Sequence, residues 1–433
     1  MPITGYSNTI SVTTTIDADA LAYINALAAD GYPLEAPEQT YINTLVTDFK
    51  SAGIWSKMKA IYPYCTSQRN IFGYTTTLAN GYTTDGSATF TLNSTTAPDG
   101  TNTGIKFTAV GSNNNYYYVN NTNWGNNFPL GNNVYSIYVK AGTFSGSAGI
   151  AIMSDGSYNR TTFTLTNEWQ RIQVTRNVSG YASLYYLDLW SQTMASGEYF
   201  YIWAPQYETG TTATTYQPVA TTASTIFASQ FKYNLKDPRN LDAAFRQVFN
   251  GGWTYSKQGA TPNGTNGYAD TKLVPSSVLT NANNHVSAYS RTQYLTPIAK
   301  DQNLWGSLNA ANYLSGDIYN NTPKIYTTNG AANFIDATIS NTQGLFTTSI
   351  VNTSTNGQKT YQNNLVKGTN TNSTATLPSV SLYLAALNNN GGSQNFSPFQ
   401  TAFVSIGDGL SDTEVSAMYT SVQSYQTSMQ RQV

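Results

Sequence analysis

The chain has 433 residues, of which 10% are charged, and its formal net charge is −1. That length suggests two or three domains of about 100–200 residues each, while so small a net charge supplies no overall electrostatic attraction for nucleic acid or an acidic membrane, and neither is an expected partner. Cys65 is the only cysteine, which excludes intrachain disulfides and thiolate zinc sites and leaves it the role of a small buried hydrophobe.

The polar surface must come from Thr, Asn, Ser and Gly, interleaved with 33 Tyr, 17 Phe and 7 Trp. Thr and aromatics suit half-buried pleated surfaces, and Asn and Gly supply turns. The opening Met1-Pro2-Ile3-Thr4-Gly5 has no basic stretch before an apolar run, and no run of about 18 apolar residues occurs anywhere. The expectation is a soluble chain with no export address and no membrane span.

In chain order, helical period comes first. Asp17 is a capping residue, Leu21, Ile24, Leu27 and Ala28 recur at spacings of three and four, and Gly31 stops the pattern. A second helix follows Pro37, with Tyr41, Ile42, Leu45, Val46 and Phe49 on one face and Gly53 as its stop, before a short turn at Trp55-Ser56-Lys57-Met58.

From about Tyr64 the period becomes two, as in Tyr135–Val139, Trp169–Val174 and Tyr199–Trp203, with Gly, Asn and Ser clusters between the runs. This is the spacing of a sandwich or jelly roll. The Thr-rich run from Thr209 to Ser224 reads as the way out of that sandwich. A second β region begins near Phe231, with a short helical turn expected around Asp242-Ala243-Ala244 and turns at Gly251-Gly252, Pro262-Asn263-Gly264 and Asn266-Gly267. The chain closes with a helix announced by the capping box Ser411-Asp412-Thr413-Glu414, after which Val415, Met418, Tyr419, Val422, Tyr425 and Met429 share a face.

Several of these runs carry a resemblance. Ile42 to Pro63, Lys232-Tyr233-Asn234-Leu235-Lys236-Asp237-Pro238, Asp242 to Arg246, Asn250 to Thr254, Thr261 to Asp270 and Ala402 to Glu414 are similar to a recurrent family of bacteriophage structural proteins. The resemblance implies a concanavalin-like, laminin-G-type sandwich with a terminal helix. In such proteins the first two runs stand close together, whereas here about 170 residues separate them. The intervening block has its own resemblance, through Asn167 to Thr175, Tyr201 to Gly210 and Ala213 to Pro218, to the carbohydrate-binding-module-like jelly rolls of phage tail proteins. The expected organisation is therefore residues 1–65 and 223–433 as one discontinuous sandwich and 66–222 as a jelly roll inserted into one of its loops, since exposed loop tips accept whole domains. The fold class is mainly β: two sandwiches, short N-terminal helices and a C-terminal helix.

His285, the sole histidine, has no partner motif and reads as structural. Glycoside hydrolysis needs two carboxylates about 5–9.5 Å apart; in the insert only Glu168, Glu198 and Glu208 are glutamates, with Glu198 and Glu208 conceivable across a cleft and a scaffolding role expected. Calcium wants several clustered oxygens; Asp408 and Asp270 stand singly, so no metal is expected, nor any cofactor. Sugar binding needs flat aromatic faces with amides and hydroxyls beside them. The run Asn113 to Asn127 supplies both, and the glycan-contacting residues are placed at Tyr117, Trp124, Asn123 and Asn126, with Trp190 and Trp203 read as core.

The resemblance implies a non-enzymatic virion protein, displayed on the particle surface as a tail or head appendage, fibre or decoration. Other virion proteins are its expected partners, with possible binding of a host glycan and a homo-oligomer, a trimer by family habit. A receptor-binding adhesin proper and a glycan depolymerase stand as alternatives.

Overall fold

In this computed structural model, residues 15–433 are described except for 73–74, 77, 79–81, 85–87, 112–115, 121–130, 155–156, 180–181, 190–191, 220–222, 294–301, 320–323, 330–332, 353–354 and 372–375. Chain contacts divide it into two units: Met1–Ser67 with Ser229–Trp253 and Gln258–Val433, and Gln68–Ala228 with Thr254–Lys257. The fold is mainly β, with antiparallel sheets in both units and helices at the two ends of the first.

In the first unit Asp17 caps α1 (Ala18–Ala29), its carboxylate accepting from the Asp19 N–H. The helix buries Ala20, Tyr23, Ile24 and Leu27 and leaves Leu21 42% exposed. The buried stripe is thus rotated from the one expected, because Tyr23, with a larger apolar body than Leu21, takes the core side. Helix α2 (Ala36–Ser51) has proline in its first turn and buries Ile42, Leu45, Val46 and Phe49. The C-terminal helix Asp412–Ser428 carries the expected capping box, Glu414 N–H donating to Ser411 Oγ and Ser411 N–H to the Glu414 carboxylate.

These helices cover one face of a sheet. Its centre is the strand Thr401–Gly407, which pairs with β1 (Met58–Tyr62) and with Asn284–Ser290; Gly344–Ile350, Gln358–Gln362 and Leu365–Asn370 follow in order. The three strands Asn284–Ser290, Gly344–Ile350 and Thr401–Gly407 are buried at every position. Helices lie on one side and a second sheet, running from Val248–Asn250 to Phe334–Thr338, on the other. Burial on both faces removes the hydrophobic-in, polar-out signal that a half-solvated strand shows. The helix-facing side chains that meet Met418 are small hydroxyls, Ser287 and Ser405, which let the C-terminal helix approach closely.

The runs that resemble phage structural proteins knit together in this unit. Asn234 accepts from the Ile61 N–H and donates to the Lys59 and Ala244 carbonyls. Tyr62 Oη donates to Phe245 O, and Lys236 donates to Trp55 O with its ammonium 4.3 Å over the Trp55 ring. Lys57 pairs with Glu414 and Lys59 with Asp408. Arg431, buried to 1% exposure, donates to the carbonyls of Pro63, Tyr64 and Ala402 and to Gln426. Cys65 is buried in the same core, which pushes its thiol pKa up to about 12.

Among its described residues the inserted unit has ten strands: β2 (Tyr82–Thr84), β3 (Ala88–Thr95), β4 (Gly104–Ala109), β5 (Tyr116–Asn120), β6 (Gly131–Ala141), β7 (Ser147–Ser154), β8 (Ser157–Thr164), β9 (Gln170–Val178), β10 (Ala182–Asp188) and β11 (Tyr199–Thr209). One sheet runs β2-β5-β10-β7-β8, the other β3-β4-β11-β6-β9. Four antiparallel pairs nest inside one another, β4 with β11, β5 with β10, β6 with β9 and β7 with β8. A long hairpin rolled onto itself gives this order, which makes the unit a jelly roll. Its core lies between the sheets, with Ile150 and Ile152 of β7 against Ile137 and Val139 of β6, Phe107 of β4, and Phe200 and Ile202 of β11.

Candidate functional site

Strand alternation fixes what the second sheet of the jelly roll shows to the outside. Phe200 and Ile202 point into the core, so Tyr199, Tyr201 and Trp203 point away from it, as do Tyr138 and Lys140 of β6 beside core-facing Ile137 and Val139. Trp203 is paired across the strands with Tyr138. It therefore does not belong to the core between the sheets, as the sequence suggested. It is the centre of a separate aromatic cluster on the outer face with Ala97, Ala204, Tyr138, Trp169 and Tyr216.

After Trp203 the strand bulges. The register shifts between Trp203 and Gln206, and Ala204 takes a left-handed backbone with φ of 54°. Beyond the bulge Tyr207 faces the core while Gln206 and Glu208 face outward. Both are nonetheless buried, because the segment 213–218 crosses over them. Gln206 accepts from the Gln217 N–H and donates to Glu208 and to Thr214 O. Glu208 accepts from the Thr214 N–H and hydroxyl. Gln217 in turn accepts from the N–H groups of Arg69 and Asn70. Asn70, fully buried, donates to the Pro205 and Gln217 carbonyls and accepts from the N–H groups of Phe72 and Tyr207. The strap is thus fastened at both ends by side-chain amides and one carboxylate.

Between strap and sheet opens a cavity of about 460 Å³, lined by Tyr138, Trp203 and Tyr216 with Thr75, Thr76, Thr101, Thr103 and Thr215, by Pro98 and Pro218, and by Asp99. Such a volume lies within the range of small-ligand sites. The Tyr138 and Tyr216 rings stand edge-on to Trp203, with centroids 5.3 and 5.0 Å away. Trp203 Nε1 donates to Thr103 Oγ1 at 3.0 Å, which fixes the indole. Tyr216 Oη and Thr75 Oγ1 lie 2.8 Å apart, and burial pushes the Tyr216 phenol up to about 12, so it stays protonated at neutral pH. Asp99 Oδ1 accepts from the N–H and hydroxyl of Thr101, holding the β3–β4 connection in place. Arg171 backs Tyr138, with its guanidinium 5.5 Å from the ring and a bond to Ser136 Oγ. Aromatic faces for C–H groups and a fringe of hydroxyls with one carboxylate for O–H groups make a site for a polyhydroxylated ligand.

Of the sequence-expected glycan residues, one is placed by the structure, and it stands apart from this cavity. Tyr117 lies in β5 of the other sheet, its backbone paired with Thr84 and Leu187. Asn123, Trp124 and Asn126 lie outside the described residues, as does Trp190. Glu198 and Glu208 flank or end the single strand β11, about 30 Å apart along an extended chain, and so do not face each other across a cleft. Glu198 accepts from the Ala195 N–H in a tight turn, and Glu208 holds the strap. In the first unit His285 is buried, with Nδ1 2.6 Å from Asp408 O and Nε2 3.2 Å from Ser405 Oγ. Burial lowers its pKa to about 4. The pair is sealed beneath the C-terminal helix, where no substrate reaches it. Asp408 and Asp270 are engaged by Lys59 and Lys272.

No family model matches the chain, and no curated protein matches it. Among solved structures it is similar to the CBM22-1 xylan-binding domain of Paenibacillus barcinonensis Xyn10C, at 14% identity over 36% of this chain and 96% of that one, with a TM-score of 0.25. TmCBM61 in complex with β-1,4-galactotriose aligns at 12% identity over 33% of this chain and all of that one, with a TM-score of 0.26. The CBM22-1–GH10 modules of Clostridium thermocellum Xyn10B, in complex with xylohexaose, align at 16% identity over 34% of this chain and 29% of that one, with a TM-score of 0.25.

Proposed function

We propose that the protein is a non-enzymatic bacteriophage virion-surface protein whose inserted jelly roll binds a glycan in the cavity around Trp203. The observation that carries the glycan reading is that cavity: three aromatic rings, threonine hydroxyls and one carboxylate on the outer face of a two-sheet jelly roll. What supports the virion reading is the sequence resemblance, whose separate runs are bonded to one another in the first unit. Other virion proteins are its partners in this reading, and a trimer its expected assembly.

The glycan part is tested on the full chain with an array of bacterial surface polysaccharides. Trp203→Ala is expected to lower affinity at least about tenfold with the near-ultraviolet circular dichroism of the rest retained. Unchanged affinity in that variant, or no binding to any polysaccharide by the unaltered chain, sinks it. Release of reducing ends from a bound polysaccharide would replace a binding protein by a depolymerase. The virion part is tested by gold-labelled antibody against the chain on purified particles, where label on the particle surface is the expected result and unlabelled particles overturn it.

A further inference from the structure

The outer face of β11 continues past the cavity. Tyr201 stands two residues before Trp203, about 6.8 Å along the strand, and is the cross-strand partner of two lysines, Lys106 on β4 and Lys140 on β6. All three side chains point to the same side of the sheet, since Ile105, Phe107, Val139 and Ile202 between them face the core. Tyr199 extends the row, its ring 5.4 Å from that of Tyr201 and 4.3 Å from the Lys106 ammonium.

These lysines differ from others in the chain. Lys50, Lys57, Lys59, Lys232, Lys272, Lys324 and Lys359 each sit within salt-bridge distance of a carboxylate. Among the described residues Lys106 and Lys140, like Lys236 and Lys367, have no carboxylate within that distance, but only these two are brought to either side of one tyrosine, with Cα atoms about 10 Å apart across three strands. Two like charges held this way repel each other weakly and are relieved by an anion placed between them over the ring. The cavity next to them has the opposite character: among the described residues that line it, Asp99 alone is charged.

Resting on the glycan reading, we infer that the ligand is an acidic polysaccharide. A sugar without negative charge occupies the Trp203 cavity, and an anionic group on the neighbouring unit lies over Tyr201 between Lys106 and Lys140. The shared chemistry is a carboxylate or phosphate on a sugar chain.

The full-length protein is titrated with polygalacturonate, alginate and hyaluronan, each before and after carboxyl reduction, and with a phosphodiester-linked wall teichoic acid. The acidic form of a bound polymer is expected to bind about five- to tenfold more tightly than its reduced form, with the advantage fading as salt rises. Binding of the teichoic acid with the same salt dependence, without preference among the uronate pairs, assigns the anion to phosphate. The double variant Lys106→Gln, Lys140→Gln should lose the preference and keep the affinity for the neutral form, whereas Trp203→Ala should lose both. Equal binding of acidic and reduced polymers together with no binding of teichoic acid overturns the inference and leaves the glycan reading standing, as does a preference that survives in the double lysine variant. No binding of any of these polymers, acidic or neutral, overturns the inference, and the glycan reading falls only if the wider array is also silent.

Discussion

The central sheet of the first unit and the second sheet of the jelly roll are both antiparallel, yet they use their two faces differently. In the first unit both faces are covered, and where the C-terminal helix crosses, the sheet offers Ser287 and Ser405, small groups that admit a helix. In the jelly roll one face is covered and the other presents Tyr199, Tyr201, Trp203 and Tyr138 with Lys106 and Lys140 among them. Tyr199 and Tyr201 stay partly exposed on that face, while Trp203 is buried beneath the strap. The contrast separates a sheet packed on both faces from one that keeps an aromatic row at its surface.

The sharpest way to break that contrast is to unfasten the packed side. Arg431→Ala removes the donor shared by Pro63, Tyr64 and Ala402 carbonyls, leaving buried acceptors and a cavity. Denaturant unfolding of the full chain should show a loss of about 3–5 kcal/mol in the transition of the first unit; a loss below 1 kcal/mol would mean that water replaces the guanidinium.

Acid gives the next effect. Because burial holds the folded-state pKa of His285 at about 4, below the ordinary 6.5, the unfolded chain takes up the proton first. Its contribution is complete above pH 6.5 and fades as pH falls from 6.5 towards 4, by as much as about 3 kcal/mol. Below that range the carboxylates of Asp17 and Asp412, held low by Lys50 and Lys359, add their own loss as they protonate. A stability profile of the first unit that is flat from pH 7 to 4.5, or one that keeps its slope in His285→Asn, contradicts this assignment.

Smaller effects are expected in both units. Glu208→Ala leaves the Thr214 N–H and Gln206 without their carboxylate and should cost about 1–3 kcal/mol in the jelly roll, with faster proteolysis of the 209–218 segment as an independent readout. Lys359→Met removes an exposed pair with Asp412 and should change stability by about 0.2–1 kcal/mol; a larger cost would show that Tyr361, which donates to the same carboxylate, depends on that lysine.

Local signals in the sequence were strong where a few adjacent residues decide the outcome. The Ser411–Glu414 box, the Asp17 cap and the alternation in Tyr199–Trp203 each name an element and where it begins, though the strand runs on past Trp203 to Thr209. The rotation of α1 was not legible, since Leu21 and Tyr23 are both apolar enough to be buried and only the tertiary partner chooses between them. Nor was the role of Trp203. Alternation puts it on the face opposite Phe200 and Ile202, but which face is core depends on the partner sheet. The cavity escapes any local motif, because Thr75, Asp99, Tyr138, Trp203 and Tyr216 are gathered by the nested pairing of β4 with β11 and of β6 with β9, and by the strap that follows. The Gln206-x-Glu208 and Thr214–Gln217 signal was visible as a recurrent pattern, and its meaning, a clasp between strand and strap, needed the fold.

The left-handed residue at Ala204 acts as a phase shifter in a strand that would otherwise keep one beat. Upstream of it the odd-numbered side chains face outward and form the aromatic row; downstream the even-numbered ones do and form the clasp. Straightening the strand with Ala204 still in it would set its two halves against each other, so that either Trp203 turns inward with Tyr201 and Tyr199 or Gln206 and the Glu208 carboxylate enter the core in place of Tyr207. The aromatic row and the clasp therefore share one strand only because one residue is counted out of step. Ala204→Gly, which keeps the shift and relieves the left-handed backbone of a β-carbon, should leave both intact and gain up to about 1 kcal/mol.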